Sequence, residues 1–268
     1  MPPAPLDHPL NLLMQTVMTL GCWGGALVFF VIALRRSLRE GTIFYLAVIL
    51  AAALCSLLEP LYDIAFHLIW YVPGQWTMFT AFGLPQPIWV MGAYILVFAG
   101  PVISLVDKID QGMDRSAYWR LVATVFCTTA VFEMIAISGG TYGYYGPHAL
   151  RIFGYPLVIA ALEATFISSL IVLAAYFRRM ATNPATHLLM IPLFGATFFL
   201  GNFGAGWPLI IAINSSSEPP TSIVWFGAIA SLMFACAIIR FVSNYLPKAS
   251  QDSVMQARVD GHRIGAVA

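Results

Sequence analysis

Three ionisable residues in an otherwise apolar stretch of the sequence could carry out acid–base chemistry. Glu59, Asp63 and His67 stand four residues apart in the run LEPLYDIAFH, so in a helix their side chains share roughly one face. Placing an acid at the centre of a membrane costs about 2.5–3.5 kcal/mol, so ionisable groups there need a functional reason. Two carboxyls beside an imidazole can give and take protons, and the pattern therefore indicates proton chemistry in an apolar setting.

The composition indicates that this stretch belongs to a membrane protein. Of the 268 residues, 60% are hydrophobic and 9% are charged, whereas soluble domains carry about 25% charged residues. Because about 20 apolar residues cross a bilayer, we predict an all-α integral membrane protein with seven transmembrane helices. The predicted spans lie near 12–34, 43–70, 87–106, 119–138, 154–177, 187–211 and 221–243.

The basic residues predict the orientation of the chain. Twelve of the 13 Lys and Arg residues fall on one side of the seven-span arrangement, and only Arg151 falls on the other. The positive-inside rule then predicts a multi-pass protein of the cell (inner) membrane with its N-terminus outside and its C-terminus in the cytoplasm. We expect one membrane domain over 1–243 and a flexible cytoplasmic tail over 244–268. The net charge of +1 predicts no nucleic-acid partner.

Two further acids and an amide fall at a similar depth. At a rise of 1.5 Å per residue, counted from the cytoplasmic end of each span, Glu59, Glu133 and Asn202 lie roughly 21–22 Å up. Asp63 lies roughly 28 Å up and Glu163 roughly 16 Å. We therefore expect four helices to bring five polar groups into one cavity in the outer half of the membrane. The alternative is a polar network that only holds the helices together.

The scarcity of cations near these acids predicts their charge state. Four ionised carboxylates at this depth would cost on the order of 10 kcal/mol, similar to the stability of a whole protein. Only His67 and Arg151 could supply a compensating positive charge. At least one acid is therefore expected to be neutral at pH 7, and a neutral carboxylic acid beside an ionised one is what general acid–base catalysis needs.

The two long outer loops differ in composition. Residues 71–86 mix aromatic residues with Gly and Pro, and this composition is compatible with a lid at the membrane interface. Residues 138–153 are the part of the chain richest in Gly and Tyr. Tyr144 and Tyr145 in this second loop are typical of the aromatic belt at a bilayer surface.

The run from Glu133 to Glu163 resembles a pattern shared by the AveC-like spirocyclase family and the bacterial carotenoid hydratase family. In FEMIAISGGTYGYYG and LRIFGYPLVIAALEA, the matching positions are Glu133, the turn 139–146, the Gly-Tyr-Pro run 154–156 and Glu163. The chain is more similar to the AveC-like group, because it lacks the longer aromatic turn expected of the hydratases. The resemblance implies a cofactor-independent enzyme that cyclises, dehydrates or hydrates a lipophilic polyketide or terpenoid.

The acid cluster and the resemblance together predict roles for ten residues. Asp63 or Glu59 is the predicted general acid, and Glu133 or Glu163 is the predicted base or stabilises a developing cation. Asn202 and the Tyr142 hydroxyl are expected to orient the substrate oxygen. The rings of Trp207 and Tyr62 are expected to face a carbocation. The predicted substrate-binding residues are His67, Tyr62, Tyr142, Arg151, Asn202 and Trp207.

Two other interpretations stay open at this point. The first is a proton-coupled transporter or a receptor for a hydrophobic small molecule, although no inverted repeat with paired broken helices is evident. The second is a binding site for a single divalent cation. Apart from this alternative, no metal or cofactor is expected. A retinal-binding pump is excluded, because its Schiff base needs a membrane-buried lysine and both Lys108 and Lys248 lie on the cytoplasmic side. The residues that could hold a divalent ion are Glu59, Asp63, His67 and Glu163.

Overall fold

The computed structural model describes residues 4–248, and seven of its helices are long and apolar enough to cross a membrane. This confirms the expectation of a multi-pass, mostly helical membrane protein at the level of length and composition. The tail predicted over 244–268 lies outside the described residues from position 249 onward. The helices are α1 (Leu12–Glu40), α2 (Phe44–Phe66), α3 (Trp89–Asp110), α4 (Arg115–Ser138), α5 (Leu157–Met180), α6 (Pro184–Asn214) and α7 (Thr221–Asn244).

Polar residues at the helix boundaries explain where several helices begin and end. The Asn11 side chain accepts a hydrogen bond from the amide of Met14 and so caps the start of α1. Asp114 caps α4 in the same way, and α4 therefore begins four residues earlier than hydropathy predicts. Helix α1 continues six residues past its predicted end, until Gly41 adopts the left-handed conformation that stops it.

Helix α5 forms the centre of the bundle. In its most apolar window 83% of the residues are buried, against 22% for α1 and 28% for α4, so α5 is surrounded by protein. It packs against α3, α4, α6 and α7. Its close approach to α6 requires Gly201, because a Cβ atom there would stand 2.5 Å from the Cβ of Phe166. The central position carries the side chain of Glu163 into the protein interior.

Three helices depart from α-helical geometry near the predicted acids. Helix α2 tightens into a 3-10 turn at Ser56–Leu58, and Glu59 and Pro60 begin its last α-helical part, as the missing proline amide predicts. Helix α6 widens into a π-helical segment at Leu200–Gly204, which contains two glycines. Helix α3 contains another π-helical segment, Ile95–Ala99, which the sequence does not predict. Segments of this kind often occur at functional sites.

Short strands in two loops show that the all-α expectation is wrong for the connections α2–α3 and α4–α5. Antiparallel pairs form between β1 and β4, β2 and β3, and β5 and β6. Loop backbone close to a membrane has little water to bond, so its amides and carbonyls pair with each other. We call this end of the bundle the strand end. The strands are β1 (Leu68–Trp70), β2 (Thr77–Ala81), β3 (Leu84–Pro87), β4 (Tyr142–Tyr144), β5 (Arg151–Ile152) and β6 (Tyr155–Pro156).

The opposite end of the bundle, which we call the arginine end, is held together by ion pairs. Asp107 at the end of α3 accepts hydrogen bonds from Arg36 of α1 and from Arg178 of α5, the latter at 2.5 Å. Glu40 lies 3.4 Å from Arg36 and 3.3 Å from Arg178. Arg36 also donates to the hydroxyl of Tyr45 on α2. One network of charges therefore connects four helices.

Candidate active site

A cavity next to the strand end is bounded by carboxyl groups from three helices. Glu59 of α2, Glu133 of α4 and Glu163 of α5 all line it, as their similar predicted depth suggests. Its volume of about 50 Å³ leaves room for about one or two water molecules. Aromatic rings form most of the remaining wall, and they come from Tyr62, Trp70, Trp89, Tyr94, Phe98, Phe132, Tyr144 and Phe198.

Glu59 is held by a single strong donor. The hydroxyl of Tyr94, on α3, donates to Oε2 of Glu59 at 2.5 Å, and both side chains are buried. A phenol that donates to a carboxylate makes a charge-assisted bond, which is shorter and stronger than a neutral one. The Glu59 carboxyl is therefore fixed in position at the wall of the cavity.

Glu133 and Glu163 are less constrained than Glu59. Oε2 of Glu133 is buried and has no hydrogen-bond partner among the described residues. The hydroxyl of Tyr155 donates to Oε2 of Glu163 over 3.4 Å, which is a weak contact. Burial and the nearby Glu133 carboxyl raise the pKa of Tyr142 well above its usual range, so this phenol stays protonated and can donate. These two carboxyls have unused capacity to bind a substrate atom or water.

A pair of phenols faces the same cavity. The hydroxyls of Tyr62 and Tyr144 lie 3.1 Å apart, within hydrogen-bonding distance, and both side chains are buried. Burial raises the pKa of Tyr144 well above its usual range, and the neighbouring Tyr62 and Glu133 add to this effect. The interpretation of Tyr144 as a residue of the interfacial belt is therefore wrong. Tyr62 lines the cavity as expected of a binding residue.

Asp63 has surroundings that differ from those expected of a general acid. Its Oδ2 accepts hydrogen bonds from Nε1 of Trp70 at 3.0 Å and from Nε2 of Gln86 at 2.6 Å. Asp63 is fully buried, yet among residues 4–248 it is not one of those that line the cavity. Trp70 belongs to β1 and Gln86 to β3, so the carboxyl is attached to the strands and positions them over the cavity.

The two predicted cations do not approach the acids. His67 ends α2 in the left-handed conformation, and its Nε2 lies 2.9 Å from Oδ1 of Asn214. Burial lowers the pKa of His67, which favours the neutral imidazole. Arg151 donates to the backbone carbonyls of Tyr144 and Gly146, each at 3.0 Å. Within the described residues neither side chain forms a salt bridge with an acid.

Of the six predicted binding residues only Tyr62 lines the cavity; His67, Tyr142 and Arg151 are not among its lining residues, and two others lie away from it. Asn202 is buried in the π-helical segment of α6, where its Nδ2 donates to the Phe198 carbonyl at 3.2 Å. Trp207 is 51% exposed and its ring contacts Phe234 on α7, so it belongs to the outer surface of the bundle. The sequence predicts the depth of both residues, but packing determines which way each helix face turns.

Four residues of the site are missing from the sequence-based prediction. They contribute hydrogen bonds or ring surface to the acids and the cavity, yet each looks like an ordinary apolar-span or loop residue in the sequence. A phenol in the second turn of a helix, or an indole at the boundary of a span, has no spacing pattern that identifies it. They are Tyr94, Trp70, Gln86 and Trp89.

The strand end closes the cavity from above. Trp70 and Tyr142 are paired across β1 and β4, with ring centroids 4.5 Å apart. The start of α1 is attached to both loops, because the Asn11 amide donates to the Gly140 carbonyl and Gln15 accepts from the Trp76 amide at 2.7 Å. Most of residues 71–86, whose composition is compatible with a lid, belong to the β2–β3 hairpin, which lies beside this closure.

The residues considered for a divalent cation are not brought together. Within residues 4–248 no group of three or more His, Cys, Asp and Glu side chains is arranged to hold a metal ion. The reason is that Asp63 turns to Trp70 and Gln86, and His67 turns to Asn214. The metal-site alternative is therefore not supported by the geometry.

Comparison with known proteins identifies no relative of the chain. No protein-family model, no curated protein and no solved structure matches it. The site is therefore interpreted from its own chemistry, which consists of three buried carboxyls and several phenol and indole donors around a small space.

Proposed function

We propose that this chain is a membrane enzyme that moves protons on a lipophilic small molecule with its own carboxyl groups and no cofactor. The observation that carries the proposal is the cavity bounded by Glu59, Glu133 and Glu163. Within the described residues none of them pairs with a cation. Buried charge without a partner is expensive, so a protein retains such a group where it does chemistry.

The shared cavity provides an acid and a base together. Carboxylates that share one small apolar space cannot all remain ionised, because each disfavours the charge of the others. A proton held by one carboxyl can be donated to a substrate, and an ionised neighbour can accept another. This division of roles is the one that hydration, dehydration, cyclisation and isomerisation all require.

Glu133 is the best candidate for the group that gives the proton. One of its oxygens is buried without a hydrogen-bond partner in the described part of the chain, so it is free to reach a substrate atom. Glu163, with only a long contact to Tyr155, is the candidate base, and Glu59 is held in place by Tyr94. The Tyr62–Tyr144 pair is suited to orienting a substrate oxygen.

The steps balance without any further reactant except water. In hydration, Glu133 gives its proton to one carbon of a double bond, and water adds to the other carbon while losing a proton to Glu163. Dehydration is the reverse. In cyclisation a hydroxyl of the substrate takes the place of the water. Glu133 has an oxygen without a hydrogen-bond partner among the described residues, whereas Glu163 accepts from Tyr155. This difference favours a fixed role for each of the two residues.

The resemblance to the AveC-like spirocyclase family supports the same class of function. Two of its matching positions, Glu133 and Glu163, line the cavity, and a third, the Gly-Tyr-Pro run 154–156, contributes the hydroxyl that reaches Glu163. We therefore propose a polyketide or terpenoid as the substrate.

We also propose that the N-terminus lies outside and the C-terminus in the cytoplasm of the inner membrane. The support is that Arg151 is the one basic residue at the strand end within residues 4–248, whereas the others belong to the arginine end. A C-terminal fluorescent protein that matures only in the cytoplasm should then fluoresce. A C-terminal phosphatase that is active only outside the cytoplasm should be inactive, and the reverse result would overturn this orientation.

The enzyme proposal is tested by comparing the lipophilic extracts of cells that make the chain with those of cells that lack it. A hydratase or dehydratase produces a pair of compounds that differ by one water molecule, and a cyclase or isomerase produces a pair of equal mass. In partly deuterated water the product of a protonation step also gains deuterium. Restoring the wild type should restore the product, and restoring Glu133→Gln should leave the substrate accumulated.

A matched control separates catalysis from a general effect of losing a carboxyl. Glu218 lies exposed in the loop between α6 and α7, away from the cavity, so Glu218→Gln should restore the product fully. Full restoration by Glu133→Gln and by Glu163→Gln would contradict the proposal.

One observation favours a proton-coupled transporter as the second candidate. Helices α3 and α6, the third helix of each successive group of three, both contain a π-helical segment followed by Gly and Pro. Interrupted helices in corresponding positions are typical of transporter binding sites. Proteoliposomes that show proton-coupled flux of a solute, with no chemical change in that solute, would favour this candidate over the enzyme.

A further inference from the structure

The size of the acid cavity limits what it can hold. About 50 Å³ accommodates water or the reacting end of a molecule, whereas an engineered cavity of about 150 Å³ is needed for a single benzene ring. A lipophilic substrate therefore needs a second space for the rest of its carbon skeleton. That space must be continuous with the cavity.

A groove between α3 and α4 provides such a space. Its volume is about 440 Å³, in the range of small-molecule sites. The walls are one face of α3 and one face of α4, Phe29 of α1 lies at its edge, and Ile167 of the central helix α5 forms its floor. The residues of the two walls are Leu96, Val97, Gly100, Pro101, Ser104 and Leu105 on α3, and Leu121, Thr124, Val125, Thr128, Thr129 and Phe132 on α4.

The groove and the acid cavity share part of their walls. Val97, Thr129 and Phe132 line both, so the upper end of the groove adjoins the cavity that the carboxyl groups line. The groove exists because α4 packs chiefly on α5, and α3 packs on α5 from another side. Thr124 and Thr128 are exposed on the surface of the bundle, so the groove opens sideways, where the bilayer would be.

The hydroxyl groups along the groove do not make it polar. Thr124 donates to the Arg120 carbonyl at 2.8 Å and Thr128 to the Thr124 carbonyl at 2.9 Å. Thr129 donates to the Val125 carbonyl at 2.8 Å, and Ser104 on α3 to the Gly100 carbonyl at 2.8 Å. Each hydroxyl hydrogen is therefore used within its own helix, and the walls present methyl and methylene groups. Such a surface suits a hydrocarbon.

We propose that this groove binds the hydrocarbon chain of the substrate while the reacting end enters the acid cavity. The inference rests on the proposed function and adds the shape of its substrate. If six carbons of benzene fill about 150 Å³, the groove holds a single chain of about fifteen to twenty carbons. From Leu121 to Phe132 the groove runs roughly 16 Å along α4, so the chain extends from the acids towards the arginine end.

A second apolar groove serves as an internal comparison. It has a volume of about 530 Å³ and lies between α5, α6 and α7, with Ala237 among its lining residues. It is larger than the α3–α4 groove but shares no lining residue with the acid cavity. If volume alone decided where a hydrocarbon chain binds, the α5–α7 groove would be the better site. Comparing the two grooves therefore shows whether binding depends on the volume of the groove or on its contact with the acid cavity.

The experiment uses photoreactive alcohols with the full-length protein in lipid nanodiscs. The probe is a single-chain alcohol of about sixteen carbons with a diazirine at the end opposite the hydroxyl. A homologue of half that length shows whether the labelled position depends on the length of the chain. The long probe should label α3 and α4 near Leu105 and Leu121, and the short one near Val97 and Phe132, as read by peptide mass spectrometry. Labelling requires no turnover, so it is separate from the test of the enzyme itself.

Two matched variants test whether the groove is the site. Thr128 and Ala237 are both small, exposed residues, each lining one groove. Thr128→Trp should reduce labelling by the long alcohol about tenfold because the indole fills the groove, and Ala237→Trp should leave it unchanged. Ser104→Trp, on the opposite wall, should repeat the loss and guards against a folding defect in one variant.

Several results would overturn the proposal. These are labelling that ignores probe length, equal labelling of the α5–α7 groove, no loss in Thr128→Trp and Ser104→Trp, or equal labelling by a two-chain phospholipid with the same diazirine. The last result would show that the groove holds bulk membrane lipid. If the groove is labelled as expected but Glu133→Gln keeps full activity, the acid–base function fails while the chain site remains.

Discussion

The acids at the two ends of this bundle are treated in opposite ways. At the arginine end, Glu40, Asp107 and Asp110 all lie within salt-bridge distance of arginines and retain partial contact with solvent. Next to the strand end, Glu59, Glu133 and Glu163 line one small cavity whose neighbouring donors are phenols and indoles. The acids that connect helices at the arginine end are thus paired with arginines. The acids that line the cavity next to the strand end have no cation beside them in the described part of the chain.

The difference shows which acids stabilise the fold and which reduce its stability. Removing one member of an ion pair leaves its partner uncompensated, so the acids at the arginine end should contribute to stability. A carboxyl buried without a cation contributes little to stability, and replacing it by a neutral group of the same shape should be tolerated. Exchanging acids for amides at both ends therefore tests whether the two groups have different purposes.

The largest effect is expected from Glu133→Gln. Turnover should fall by about 10² to 10⁴, because an amide cannot transfer the proton that a carboxyl holds. The midpoint of thermal unfolding in detergent should stay the same or rise, since no ion pair is lost and a desolvation cost is removed. Product formation per folded molecule and the unfolding midpoint are the two measurements. A large loss of stability with activity retained would reverse the roles assigned to the two ends.

Asp107→Asn should give the opposite result. Asp107 contacts both Arg36 and Arg178, and its side chain is 38% exposed, so the loss should be about 1–2 kcal/mol of unfolding free energy. Added salt should reduce the difference from the wild type, because screening weakens the original pairs. Turnover per folded molecule should not change. A loss of turnover at unchanged stability would show that the arginine end takes part in the reaction.

The buried imidazole of His148, at the strand end, should tolerate a positive charge poorly. Neither of its ring nitrogens has a hydrogen-bond partner among the described residues, and burial, reinforced by Arg151, lowers its pKa from 6.5 to about 3. Between these two values the unfolded chain binds a proton that the folded chain does not, so stability falls as the pH falls. The loss should be about 2 kcal/mol between about pH 7 and about pH 5.

His148→Phe keeps an aromatic ring and removes the titrating group, so its stability should depend less on pH in this window. Chemical denaturation at several pH values measures the slope for both proteins. Equal slopes would mean that the strand end accepts an imidazolium after all.

The smallest effect is expected from Trp207→Leu. The indole is on the outer surface beside Phe234, so its loss should change both turnover and stability by less than about 0.5 kcal/mol. Kinetics and thermal unfolding of the variant check this. A tenfold loss of turnover would place a part of the reaction outside the cavity.

The sequence predicts the parts of this structure that depend on local pattern. Apolar length gives seven spans, and the rise per residue gives the depth at which Glu59, Glu133 and Glu163 meet, whereas the i, i+4 spacing does not bring Asp63 and His67 to the same cavity. Pro60 predicts the interruption of α2. These features depend on the chain near each residue, so hydropathy and helix geometry are sufficient.

The remaining features depend on contacts between distant segments. The strands β1 and β4 are more than seventy residues apart, and the two donors to Asp63 come from separate strand pairs, Trp70 from β1 and Gln86 from β3. Tyr94 reaches Glu59 because of how α3 rotates against α2, which no single-helix pattern reports. The rotation of α6 likewise turns Trp207 outward. Depth along a helix can be counted from sequence, but the direction of a side chain around it is decided by packing.

The ladder between β1 and β4, with Trp70 against Tyr142, has a consequence for the lifetime of reactive species. Under the proposed function, a carbocation formed beneath these rings would meet few molecules of bulk solvent, because the paired strands lie over the cavity. The nucleophile would then be a water molecule held in the cavity or a group of the substrate itself, so the strand pairing would influence the product as much as the acids do.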